Sequence, residues 1–356
     1  MKNKLLTLLI ALVMAATNLQ AQEEEITCSS FLNNIATYYQ DGNYVVIVAN
    51  ADSLLKKCNY SKEDKILIYK YVIAAEKSLN FDSLAEIHAE KMLKLDPFYE
   101  YNSTTDPSYL EDIKLNNTTF PRLTIGYYMG ISSTQVDRIT MYRILDSMDY
   151  SLPYTSTPSI FTSLYFNYNF SQNFSLGASG GVFYSNFSRE LPAYNFIMVD
   201  YKERFSGGQG NLYFINKLRF VHLNKFVPYI KYGIHMEYNT RIRYEIQMSV
   251  YDETKYPDFN LPTTYERHGD LPLSSRRRIR GGIDVGGGFI YEMQKVSIFL
   301  EAYYKHDLVT YTIPESRYQP EFSNIFYYVN DDIVLNKLML MIGFSFNLKY
   351  TVKKSN

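Results

Sequence analysis

Two periods of hydrophobic repetition divide the chain. From Ile26 to about Leu115 apolar residues recur at spacings of three and four, as on amphipathic helices; from Phe120 onward they alternate with polar or small residues, as on strands. In the first part Phe31, Ile35 and Tyr38 or Tyr39 predict a helix over Cys28–Gln40, closed by the turn Asp41-Gly42-Asn43. Tyr44 to Cys58 reads as a second helix, with the β-branched run Val45 to Val48 leaving a strand as the alternative. Ser61 with Asp64 makes a capping-box-like start to a third helix ending at Leu79, and a fourth runs from Ser83 to Leu95, where Asp96-Pro97 stops it.

The second part separates into eight alternating segments. In the first, Leu123, Ile125, Tyr127, Met129 and Ile131 oppose Thr124, Gly126, Tyr128 and Gly130; in the last, Leu338, Leu340, Ile342, Phe344, Phe346 and Leu348 oppose Lys337, Gly343, Ser345 and Asn347. The connections alternate between long (132–159, 188–206, 241–275, 313–335) and short (171–173, 222–225, 293–295). One rim of tight turns and one of long loops is the plan of a transmembrane β-barrel, and an even strand number puts both barrel ends at the tight-turn rim. The expected fold is mainly β with an α-helical N-terminal domain: an eight-stranded antiparallel up-and-down transmembrane β-barrel over 118–356, preceded by a small helical domain over 22–117.

Lys2 and Lys4, the apolar run Leu5 to Ala16 and a small residue at Ala21 read as an export signal over 1–21. Export implies an oxidising compartment. Cys28 and Cys58 begin the first helix and end the second, positions that neighbour one another in a helical hairpin, so a disulfide is expected. With no histidine at ligand spacing beside these two thiols, neither a metal nor a cofactor is expected.

The two helical pairs, with small residues at Ala74, Ala75, Ala85 and Ala89 and the closing run Leu93-Lys94-Leu95-Asp96-Pro97, resemble the tetratricopeptide family. The first pair lacks a closing proline and at most two units are present, so a four-helix cap without repeat ancestry stays open. The alternating part, about two thirds of the chain, resembles the OmpA/OmpX-like eight-stranded outer-membrane barrels. That resemblance implies a place in the outer membrane, a periplasmic helical domain and insertion by the barrel assembly machinery. The last strand resembles the assembly signal of such barrels through Phe344, Phe346, Leu348 and Tyr350, but ends in Lys353-Lys354-Ser355-Asn356 rather than on an aromatic residue.

Charge adds three expectations. The whole chain is balanced, with 36 basic and 37 acidic residues, which excludes a strongly basic nucleic-acid binder. Residues 22–117 hold 16 acidic and 9 basic side chains, which suits a basic periplasmic protein partner. On the polar faces of the strands Arg122, Lys217, Arg219, Lys231, Glu237, Asp284, Glu301 and Lys305 point into a barrel with room only for side chains, so they must pair into a closed plug. Arg276, Arg277, Arg278 and Arg280 cluster where the third long loop enters the membrane; they are candidate contacts for lipopolysaccharide phosphates, or alternate members turn inward to Asp284 or Glu237. Of the 35 tyrosines, 26 lie in the alternating part, where an amphipathic ring suits the membrane interface.

Catalytic signals are weak. Gly177-Ala178-Ser179-Gly180-Gly181 matches Gly-x-Ser-x-Gly but falls inside a strand rather than on a strand-to-helix turn. His235 beside Glu237 reads either as the acid/base pair of a lipid-modifying barrel or as an interior hydrogen-bonded histidine. The expected function is a non-enzymatic outer-membrane barrel, in contact with membrane lipid, that anchors an interaction domain for secretion or envelope assembly. The alternatives are a narrow channel for small solutes and a lipid A-modifying enzyme.

Overall fold

The computed structural model describes residues 27–144, 151–193, 197–220, 225–250 and 264–354. The export signal, Glu23 to Glu25 and His222 lie outside them. The chain forms two compact units: residues up to 119 together with 352–356, and residues 120–351.

The helical unit contains α1 (Cys28–Gln40), α2 (Tyr44–Lys57), α3 (Lys62–Ser78), α4 (Asp82–Leu95) and α5 (Tyr109–Asn116). Gly42 makes the turn after α1 at a positive φ of 74°, where a side chain would be strained. The β-branched start of α2 is helical because Ile47, Ala51 and Leu54 lie on one face and pack with Phe31, Ile35 and Val72. Ser61 and Asp64 form a full capping box at the start of α3. Cys28 and Cys58 are joined, with Cα atoms 5.9 Å apart. In the chain-entropy model a closure of this length stabilises the unit by roughly 3–4 kcal/mol. A second core of Ile73, Ala85, Ala89, Met92 and Leu93 is closed by Tyr99 and Leu110, and the loop between these last two is fastened by Asp106, which accepts from Lys70 Nζ (2.6 Å) and the Tyr99 hydroxyl (2.8 Å).

The barrel unit is a ring of β1 (Asn117–Thr140), β2 (Ser159–Asn169), β3 (Phe174–Ala193), β4 (Ile197–Lys217), β5 (Phe226–Val250), β7 (Ile279–Glu292), β8 (Val296–Asp307) and β9 (Asp332–Lys354). Each pairs with the next in an antiparallel ladder, and β9 returns to β1, closing eight strands. A ninth strand, β6 (Thr264–Asp270), stands outside the ring and pairs only with the upper part of β5, and α6 (Pro320–Phe326) precedes β9.

The outer face carries the predicted apolar residues. On β9 Leu338, Leu340, Ile342, Phe344, Phe346 and Leu348 are all exposed, alternating with inward neighbours over the roughly 9–11 residues that a tilted strand needs to cross a bilayer. At the long-loop end the pattern inverts without any break in β3 or β4: Phe183, Phe187, Leu191, Val199, Tyr201 and Phe205 point inward, while Lys202 and Arg204 point out. The stretch 188–206, expected as a long loop, is therefore strand to Ala193 and again from Ile197. Beyond the lipid the same ladder faces water and builds an ordinary apolar core. In β5 the inversion uses a bulge: Ser206 pairs with Arg241 and Gly207 with Asn239, so Thr240 is extra, and Ile242, Tyr244 and Ile246 turn inward.

Candidate functional site

The interior charges form two centres and a rim pair. Near the tight-turn end Lys231 donates to Glu301 at 2.6 Å, and the Tyr229 hydroxyl donates to the same carboxylate at 2.5 Å. Lys231 also lies 4.4 Å from the Tyr213 ring centroid, so its charge is satisfied on two sides. Further along, Glu237 accepts from Arg280 (2.6 Å) and Lys337 (2.7 Å), with Lys305 at 3.5 Å. His235 places Nδ1 2.5 Å from Asp284 and Nε2 2.7 Å from Asp307, and Arg280 reaches Asp307 through its other nitrogen at 2.5 Å. These two centres hold four carboxylates against four Lys or Arg side chains, with His235 beside them. Unpaired buried charge is costly, and here every charged member has an opposite partner.

Six of the eight residues expected in this network therefore meet as pairs: Lys231 with Glu301, Glu237 with Lys305, His235 with Asp284, and Lys217 with Glu292 at the rim (2.9 Å). Two differ. Arg122 is exposed and donates to the outward Tyr168 hydroxyl at 2.7 Å, because the tight-turn rim lets its long stem leave the interior. Arg219 lies beyond the end of β4 and joins Glu292 at the water-facing rim, 2.9 Å away.

The arginine cluster splits by burial, without strict alternation. Arg276 and Arg280 are buried, which removes them as lipopolysaccharide contacts; Arg277 and Arg278 are exposed. Arg280 joins Glu237, as the inward alternative had it. Arg276 instead bonds Glu203 (2.7 Å), the Tyr201 hydroxyl (3.1 Å) and Asn330 (2.7 Å). Burial works against the Arg276 charge, but Glu203 outweighs it and the guanidinium is held well above its usual range.

Pattern reading missed Glu203, Asp307, Lys337, Arg189 and Asp331. Lys337 and Asp307 were visible as charges on polar strand faces, whereas Glu203 and Arg189 lay in a stretch taken as loop. Arg189 meets Asp331 at 2.9 Å, and Arg138 meets the same carboxylate at 2.9 Å. Above these pairs the Tyr201 and Tyr328 rings stack at 4.2 Å and Phe322 of α6 packs against both.

The two catalytic candidates resolve into packing groups. Ser179 sits inside β3 between β2 and β4, and its hydroxyl accepts from the Tyr128 hydroxyl and the Asn211 amide, each at 2.9 Å. His235 and Glu237 do not bond one another; each is buried among its own partners. On the helical unit Phe81, Leu84 and Ile87 lie exposed at spacings of three, at the start and along one face of α4.

No family model matches the chain, and no curated protein matches it. Among solved structures it is similar to Ail, the attachment invasion locus protein of Yersinia pestis, at 12% identity over 63% of this chain and 98% of that one, with a TM-score of 0.23. It is also similar to the outer membrane protein OprG from Pseudomonas aeruginosa, at 9% identity over 64% and 96%, with a TM-score of 0.30. The closed ring, its filled interior and its apolar exterior stand on the chain's own geometry.

Proposed function

We propose that the chain is a non-enzymatic outer-membrane barrel that carries a periplasmic, tetratricopeptide-like interaction domain, serving a secretion or envelope assembly. The observation behind this reading is the division of labour between the units. The barrel interior is closed by paired charge and aromatic rings, whereas the helical unit presents the apolar row Phe81, Leu84 and Ile87 to solvent on an acidic background. A row of exposed large apolar side chains on an otherwise polar helix is a contact surface for a protein. An even strand number supports the periplasmic reading, since both ends of such a barrel lie at its tight-turn rim, the periplasmic one. A basic protein with an apolar stripe is the matching partner.

Added protease in intact and in outer-membrane-permeabilised cells tests the placement. Helices α1 to α5 should be cut only after permeabilisation; cutting in intact cells would reverse the orientation. Crosslinking from position 84 should capture a periplasmic protein in cells, and Leu84→Lys should reduce that capture without changing the amount of inserted barrel.

A further inference from the structure

Just above the lipid-facing band, the outward side of β4, β5 and β6 carries a concentration of guanidinium groups. Arg204 on β4 stands directly opposite Arg243 on β5, and Ser206 directly opposite Arg241. Like charges set opposite one another across two strands destabilise a ladder. Among the described residues two carboxylates touch the four cations of this face: Glu245 takes Lys202 (3.4 Å) and Arg204 (3.0 Å), while Asp270 takes Arg241 (3.1 Å) and Arg243 (3.5 Å). Arg204, Arg241 and Arg243 line a polar hollow of about 460 Å³ together with the carboxylates Glu245, Glu266 and Asp270 and with His268. Outside this lining, the Arg278 guanidinium lies 4.6 Å from the Tyr238 ring centroid.

Directly beneath this hollow the surface changes character. Under Arg204 on β4 come Ser206, Gly208 and Gly210, and across the ladder from Gly210 comes Gly180. A Cβ added at any of these three glycines would meet nothing closer than 3.8 Å, so the lipid-facing side is bare there. Val182 and Tyr184 flank the bare strip on one side and Tyr238 on the other, and they line one apolar hollow with Ser206 and Gly208.

We propose that this face binds a phosphorylated lipid of the surrounding leaflet, bisphosphorylated lipopolysaccharide in the outer membrane, with headgroup phosphate on Arg204, Arg241 and Arg243 and one acyl chain along the Gly208 strip. The proposal rests on the outer-membrane reading above. Guanidinium forks suit phosphate oxygens in paired hydrogen bonds, and three of them converge on this one hollow. The apolar strip under the arginines is what separates a lipid-borne phosphate from a free one. None of the arginines of the cluster expected from the chain pattern, Arg276 to Arg280, lines this hollow.

Full-length protein extracted in mild detergent, incubated with lipopolysaccharide or with inorganic phosphate and examined by native mass spectrometry, tests this. Combined Arg204→Ser, Arg241→Ser and Arg243→Ser should reduce bound lipopolysaccharide by at least about tenfold, corresponding to the loss of one good charge-assisted contact. Gly208→Leu, placed where a side chain has room, should weaken lipopolysaccharide binding several-fold and leave competition by inorganic phosphate unchanged; it decides the matter if the triple variant does not fold. Undiminished lipopolysaccharide on a triple variant that still migrates differently folded and boiled would overturn the proposal, as would a Gly208→Leu protein that binds lipopolysaccharide like the parent. A parent chain recovered in the soluble fraction would instead overturn the membrane reading beneath it.

Discussion

At the scale of single residues, the helical unit holds a buried titrating pair. His88 Nδ1 lies 2.8 and 2.9 Å from the two oxygens of Glu76, which is fully buried, and Nε2 lies 3.3 Å from Asp52. Two carboxylate neighbours require both ring nitrogens to donate, so the ring is an imidazolium. Burial and the nearby Lys91 charge both lower the His88 pKa, but Glu76 and Asp52 outweigh them and the net shift is upward. A pKa higher in the folded than in the unfolded chain gives stability that is complete below the ordinary histidine value of about 6.5 and is lost as pH rises through the folded value. Thermal unfolding of the helices, followed by circular dichroism on the full chain, should therefore shift to lower temperature as pH is raised above neutrality. His88→Ala should destabilise by about 3–5 kcal/mol, because it strands the Glu76 charge. A pH-independent midpoint in the parent would contradict the imidazolium assignment.

At the scale of elements, the single extra residue in β5 decides what the upper barrel is. Below Thr240 the odd-numbered residues His235, Glu237 and Asn239 face inward; above it the even-numbered Ile242, Tyr244 and Ile246 do. Deleting Thr240 alone would only remove the extra residue, whereas deleting Thr240 and Arg241 together would join Asn239 to Ile242 in simple alternation, turning those three apolar side chains out and Arg243 toward a position facing Phe322 and Tyr328. The expected outcome is an inserted barrel whose upper part is opened: the heat-modifiable gel shift persists, but limited proteolysis cuts near α6, where the parent resists. Unchanged resistance would mean that the bulge is dispensable.

The same bulge marks where legibility in the sequence ends. The lipid-facing rows were readable because apolar-out alternation is local, and the helix start at Ser61 and the helix stop at Asp96-Pro97 were readable because caps are local. The upper barrel was not readable: its rows are apolar inside and polar outside, the reverse of the rows beneath, so a search for one pattern assigned 188–206 to loop. Partner choice was hidden for a related reason. Which acid meets Arg276 or Arg280 depends on register across strands separated by dozens of residues, and parity alone placed the side chains without naming their partners. Tyrosine shows both limits. Tyr184 and Tyr238 lie on the outer face as expected, but Tyr128, Tyr201, Tyr213, Tyr303 and Tyr311 fill the interior, where their hydroxyls or ring faces meet the buried charges.

At the scale of the whole molecule, conduction is the property on which the two units' division of labour depends. Along the barrel axis two obstructions stand in series within the described residues. The lower is the paired charge around Glu301, Glu237 and Asp307, bordered by a cavity of only about 30 Å³ among Tyr128, Tyr213 and Lys231, the share of liquid volume that one water occupies. The upper is the aromatic layer of Tyr201, Tyr311, Phe322 and Tyr328, held by Arg276 and Glu203. Purified protein in a planar bilayer should therefore give no single-channel steps. Thinning the upper layer by deleting 320–326, which takes away Phe322, should leave the bilayer silent, because the ion pairs below bring their own partners and do not depend on α6. A conductance that appears on that deletion alone would show that the lower layer passes ions, and the barrel would then be a gated narrow channel with α6 as its gate, rather than an anchor.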